Sequence, residues 1–192
     1  MQTFSGRRAS QDPDELDQLI DLMLERKVRS YLEIGARHGD TFHQVMMRLP
    51  EGSVGVAVDL PGGAWGTVTS ATHLREVATD LRRQGRHVTV HFGDSKELVR
   101  PIAKDAPFDA ILIDGDHRYD GVRADWLNYG PMGKLVAFHD IAGDGVTSKD
   151  GKAYPVDVPR LWRELKLLDG WYAAEFVTPG AEMGIGALWR AE

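Results

Sequence analysis

Five side chains capable of acid–base or metal chemistry stand where two apolar runs of this chain stop. "FDAILID" (108–114) ends in Asp114 and is followed at once by Asp116 and His117, and "KLVAFHD" (134–140) ends in His139 and Asp140. Neighbouring strands lie about 4.8 Å apart, so carboxylates at matched ends of two such strands converge on one ion. Asp114 and Asp140 are that pair. Hard oxygen ligands suit Mg²⁺, which keeps several waters for a substrate to replace. A bound cation would lower the pKa of a substrate hydroxyl and orient its oxygen. His117, with an ordinary imidazole pKa of about 6.5, is a candidate general base for the hydroxyl proton at neutral pH.

A second set of acids closes other strand-like runs. Glu33 lies in "LEIGARHGDTF", Asp59 ends "SVGVAVD", and Asp94 lies in "FGDS" before Ser95. Gly35 and Gly39 follow Glu33 and precede a helix, so backbone can approach a ligand there and helix N–H groups stay open. An acid in this loop is a poor neighbour for phosphate and a better one for a cation. The chain also lacks the G-x-G-x-x-G of a dinucleotide fold and the G-x-x-x-x-G-K-[ST] phosphate loop. Asp59 stands where a parallel sheet presents an acid to a ribose diol. Asp94 can accept from an adenine amino group or anchor the next helix.

Several residues have plainer readings. Asp116 suits the N-cap of the helix that begins near Tyr119. Tyr119 and Trp126 are core by their spacing. His38 lies in the glycine loop, and His43, His73, His87 and His91 are scattered. Trp65 either covers a ligand ring or packs.

The elements that must position these groups alternate. Strand-like runs occur at 30–35, 53–59, 87–94, 108–114 and 134–140, with amphipathic segments between them, which argues a parallel sheet covered on both faces. A helix starts at Asp12 as cap, Pro13 at its first position and Glu15 at capping-box spacing. Ser95 is placed to cap the segment holding Leu98 and Ile102. Pro159 opens a helix carrying Leu161, Leu165 and Leu168, and Gly170 ends it. Runs 172–177 and 184–189 follow without a helix between them, the pattern of an antiparallel hairpin at the sheet edge. The expected fold is α/β: one Rossmann-like, doubly wound, seven-stranded sheet with an antiparallel C-terminal hairpin. Residues 1–12 read as a flexible segment and 13–192 as one domain. Loops 60–70 and 141–158 are long and glycine-rich, as substrate lids often are.

Composition narrows the function. The chain has 192 residues, of which 42% are hydrophobic, and no cysteine, which excludes disulfides, thiol nucleophiles and thiolate metal sites. A net charge of −6 with few basic pairs argues against a nucleic-acid partner. No apolar run approaches a membrane span. The expected location is the cytoplasm.

Taken together, E-x-G-x-x-x-G-x-T (33–41), an acid ending the second strand, "GDS" after the third and "IDGDH" after the fourth resemble a class I S-adenosylmethionine (SAM)-dependent methyltransferase. The resemblance covers roughly residues 14–190. Within the class, "IDGDHRYDGVRADW" and "LVAFHD" resemble the small-molecule O-methyltransferases of the macrocin and mycinamicin type. The resemblance implies SAM as cofactor: Glu33 with Gly35 and Gly39 at its methionine part, Asp59 at the ribose, Asp94 and Ser95 around adenine, and Asp114 at the border of cofactor and metal. It implies a metal on Asp114, His139 and Asp140, with His117 as the base. That pair at 139–140 is usually two acids. Histidine at 139 is a softer ligand, which shifts preference toward Mn²⁺ or Fe²⁺ or removes the metal altogether. The implied acceptor is a hydroxylated small molecule, a sugar or natural product, with a homo-oligomer as one way to complete its pocket. The competing classes are a nicotinamide oxidoreductase and a non-catalytic SAM-fold binding module. Amino-methylating DNA enzymes carry [DN]-P-P-[YF] where this chain has "DGDH".

Overall fold

Central strands buried on both faces build the architecture. The computed structural model describes residues 11–63, 69–143, 146–149, 152–180 and 183–190. In chain order the elements are α1 (Pro13–Glu25), β1 (Ser30–Ile34), α2 (Asp40–Arg48), β2 (Val54–Asp59), α3 (Ser70–Arg83), β3 (His87–Phe92), α4 (Val99–Ile102), β4 (Phe108–Ile113) and α5 (Tyr119–Tyr129). There follow β5 (Gly133–His139), β6 (Val146–Lys149), β7 (Lys152–Pro155), α6 (Val158–Leu165), β8 (Trp171–Phe176) and β9 (Ile185–Arg190).

Tyr31, Ala57, Ala110, Leu112, Leu135 and Ala137 face one core with α1, α2 and α3. Leu32, Val56, Val58, Ile111, Ile113, Val136 and Phe138 face the other, with α5 and α6. Alternate residues of one strand thus belong to opposite cores, as the pleat requires. Burial on both faces explains why β4 reads as a continuous apolar run.

The sheet runs β3-β2-β1-β4-β5-β9-β8. Its first five strands are parallel, and β9 is antiparallel to both β5 and β8. The expected seven strands and the reversed terminal hairpin are both present. Strand order changes direction between β1 and β4, the place where ligands bind outside the carboxyl ends of an open α/β sheet.

Local details differ from the sequence reading. Asp12 caps α1 by accepting from the N–H groups of Asp14 and Glu15, but Glu15 is buried and its Oε1 accepts from Thr178 N (2.9 Å). A tertiary partner has displaced the reciprocal capping bond. Asp94, not Ser95, caps the turn before α4 through Lys96 N (2.9 Å). Arg118 holds the N-cap position of α5, while Asp116 accepts from Arg118 N (3.1 Å) and pairs with its guanidinium. Leu168 lies beyond the end of α6 and is partly exposed. Loop 141–158 contains the antiparallel pair β6–β7. Residues 1–10, 64–68 and therefore Trp65 fall outside the described residues, whereas Gln11 is buried and Asp12 is held. No helix among the described residues is long and apolar enough to cross a membrane.

Candidate active site

Parallel pairing aligns the carboxyl ends of β2, β1, β4 and β5, and each end carries a group singled out by its chemistry. Ile34 pairs with Ile113, and Ile113 with Phe138, so Asp114 and His139 emerge side by side. His139 Nδ1 lies 3.2 Å from Asp114 Oδ1 and 3.3 Å from Asp140 Oδ1. His117 Nδ1 lies 2.5 Å from Asp140 Oδ2. Asp140 adopts a left-handed backbone, φ 61°, which turns its carboxylate back toward the His117 loop. Such a conformation is uncommon outside glycine, and Asp is among the residues that tolerate it best. Asp157, before α6, buttresses the loop by donating its backbone N–H to His117 O (2.7 Å).

Electrostatics follow from this packing. Burial opposes charge on His117, but the Asp140 hydrogen bond and the Asp114 carboxylate outweigh it and raise its pKa. The same contest at buried His139 ends well above the ordinary imidazole value, driven by Asp114 and Asp140. Burial would raise Asp140; the two imidazoles hold it well below the carboxylate range. With Nδ1–H donating to Asp140, Nε2 of His117 is its basic nitrogen.

Two carboxylates and two imidazoles suit a divalent cation. Asp114, His117 and Asp140 each offer a ligand atom within 4.8 Å of the others. His139 is only 4% exposed, faces both carboxylates, and has a buried Nε2 without a hydrogen-bond partner among the described residues. The trio that meets this spacing has His117 where the resemblance implies His139, while both carboxylates of the expected set are in it.

On the β1 side, Glu33 is buried and accepts from Tyr31 Oη (2.6 Å). Burial pushes its carboxyl up to about 8, against the lowering effect of that hydroxyl. Gly35 approaches the β4 end so closely that a β-carbon would lie 2.1 Å from Asp114 O. Gly39, also at positive φ, opens α2 without a side-chain cap. Asp59 is raised by burial, while bonds from Arg37 N (2.9 Å) and Ser70 Oγ (3.2 Å) pull the other way.

At the third strand end Asp94 takes the second of its two readings, the helix anchor. Asp94 is engaged with Lys96, and Ser95 Oγ donates to Asp125 Oδ1 (2.6 Å). Tyr129 Oη donates to Ser95 O. Asp125 and Tyr129 of α5 therefore hold the loop expected to surround adenine, and burial pushes Asp125 up to about 6. Sequence reasoning missed Asp125, Asp157 and also Gln11, whose Nε2 donates to Asp114 Oδ2 (2.7 Å). A buried acid on the otherwise apolar face of α5 was the available signal for Asp125.

Comparison with known proteins bears on the fold. An O-methyltransferase from Bacillus cereus, solved with S-adenosylhomocysteine (SAH), superposes with a TM-score of 0.70 at 19% identity, over 94% of this chain and 83% of that one. The O-methyltransferase TomG from Streptomyces achromogenes, involved in tomaymycin synthesis and solved with SAM, gives 0.70 at 16%, over 95% and 82%. A methyltransferase from Geobacter sulfurreducens gives 0.63 at 15%, over 95% and 80%. At such identities the likeness is one of fold. Among curated proteins nothing matches the chain. The family model described as "Methyltransferase domain" matches residues 32–141, more than half of the chain. Those residues run from the glycine loop to just past Asp140, and this chain belongs to the methyltransferase-domain family, with the class I SAM-dependent fold.

Proposed function

We propose that the protein transfers a methyl group from SAM to a hydroxyl of a small molecule, a sugar or natural product, with His117 as general base. The observation that carries this reading is the His117–Asp140 pair, held at 2.5 Å beside Asp114 at the carboxyl edge of β4 and β5. When bound, SAM supplies an electrophilic methyl on a sulfonium, whose carbon–sulfur electron pair returns to sulfur as SAH leaves. Asp140 orients the His117 ring and stabilises the imidazolium it becomes. His117 Nε2 takes the hydroxyl proton as the acceptor oxygen gains its bond to carbon. Asp114, His139 and Asp140 would hold a divalent cation, which would supply Lewis acidity toward the acceptor hydroxyl. The Gly35–Gly39 loop and Glu33 would bind the amino-acid end of the cofactor, Asp59 the ribose, and the Asp94–Ser95 turn the adenine.

The decisive assay follows labelled methyl from SAM onto a panel of hydroxylated sugars and phenols, with His117→Ala alongside. The expected result is O-methylated product from the parent protein and turnover reduced by about 10²–10⁴-fold in His117→Ala, with SAH binding retained. Equal turnover in the variant would remove His117 from the mechanism. A SAM-fold binding module would bind SAH and yield no product with any acceptor.

A further inference from the structure

Just ahead of α1, one buried side chain crosses the crevice at the switch in strand order. Gln11 is 5% exposed. Its Nε2 donates to Asp114 Oδ2 (2.7 Å), and its Oε1 accepts from Thr41 Oγ1. Thr41 is the buried second residue of α2, which follows β1, and Asp114 follows β4. Strand order reverses between β1 and β4, where an open α/β sheet binds its ligand. Gln11 therefore ties one wall of that crevice to the other.

We propose that Gln11 recognises the amino-acid end of the cofactor, holding Thr41 and Asp114 in place beforehand and exchanging these bonds for the ligand's ammonium and carboxylate. The inference rests on the cofactor reading above. An α-amino acid presents a donor and an acceptor close together. A primary amide answers both without adding charge of its own beside Asp114. Anchoring of the segment falls to its neighbours: Asp12 caps α1 and accepts from Thr178 Oγ1 (3.0 Å), and Glu15 accepts from Thr178 N. Recognition and anchoring are thus separable by mutation.

The test titrates SAH and 5′-methylthioadenosine into the parent protein, Gln11→Ala, Gln11→Met and Asp12→Ala, with melting temperatures measured in parallel. 5′-Methylthioadenosine keeps the nucleoside and sulfur but lacks the amino-acid end. Both Gln11 variants should weaken SAH by about tenfold or more and 5′-methylthioadenosine by less than about twofold. Met preserves side-chain volume, so its effect reads the lost amide rather than a cavity. Asp12→Ala should lower the melting temperature and leave the ratio of the two affinities unchanged. A parent protein that binds no SAH overturns the cofactor reading and this proposal with it. A parent protein that binds SAH, with Gln11 variants whose two affinities fall equally or not at all, overturns the role of Gln11 alone.

Discussion

Replacing Gly35 tests how the crevice is built. Its φ is +92°, and a β-carbon would lie 2.1 Å from Asp114 O, 2.5 Å from Asp114 C and 2.7 Å from Gly115 Cα. All three are backbone atoms, so no rotamer relieves the overlap. Relief requires β1 and β4 to part where Asp114 N donates to Ile34 O (2.9 Å). Gly52 is the control, with φ +79° and nothing within 4 Å of its added carbon. Gly52→Ala should incur only the left-handed backbone cost, about 1–2 kcal/mol. Gly39 lies between the two cases, because Leu74 Cδ1 at 2.8 Å belongs to a side chain that can turn. Gly35→Ala adds overpacking and a lost buried backbone bond, for about 3–6 kcal/mol in all. At about 2–4 °C per kcal/mol for a chain of this size, melting should fall by about 2–8 °C in Gly52→Ala and by about 6–24 °C in Gly35→Ala. Scanning calorimetry reads the difference, and SAH titration should find binding lost only where β1 and β4 are forced apart. Equal destabilisation by the two variants would refute the claim that close approach of these strand ends shapes the site.

Other consequences can be checked with single variants. In the folded protein Glu33 holds its proton up to about 8, whereas the unfolded chain ionises it above about 4.5. Its contribution is therefore complete below the lower value and lost as pH rises through the higher, at up to about 1.4 kcal/mol per pH unit between them. Glu33→Gln should lack that decline in urea titrations from pH 5 to pH 8; parallel curves for variant and parent would contradict it. If the metal sits on Asp114, His139 and Asp140 as proposed, His139→Ala should weaken Mn²⁺ binding by at least about tenfold, read by calorimetry without cofactor, and by more than His117→Ala does, although His117 also stands within ligand spacing of both aspartates. The reverse pattern would assign the metal to His117 and the base to another group. Asp125→Ala leaves the Ser95 hydroxyl without its acceptor and should weaken adenosine and SAH together, since both carry adenine; a change confined to SAH would place Asp125 at the other end of the cofactor.

What could be read in advance follows from where the information lies. Apolar runs ending in Asp59, Asp114 and Asp140 revealed both the strands and the edge where their acids gather, because buried parallel strands write continuous apolar sequence. Gly35 and Gly39 were legible because positive φ and close approach select glycine. Contacts decided by distant parts of the chain were not legible. Glu15 has ideal capping-box spacing, yet its carboxylate is taken by Thr178 far along the chain. Ser95 resembles a cap, yet its hydroxyl turns to Asp125. Gln11 lies in a polar stretch that reads as mobile, and only the fold brings Asp114 to it. His139 stood out as a departure from two acids; that its ring would face both carboxylates depended on the left-handed turn at Asp140.

The most direct measurement for the account is a calorimetric titration of SAH into the protein in chelator, repeated with Mg²⁺. Micromolar binding at one site per chain is expected in chelator, because the groups proposed to hold the cofactor are protein atoms already in place. A separate Mg²⁺ heat that disappears in Asp114→Asn is the second expected result. Absence of SAH binding in both buffers would contradict the central claim, and binding of NAD(H) in its place would identify the crevice as a nicotinamide site.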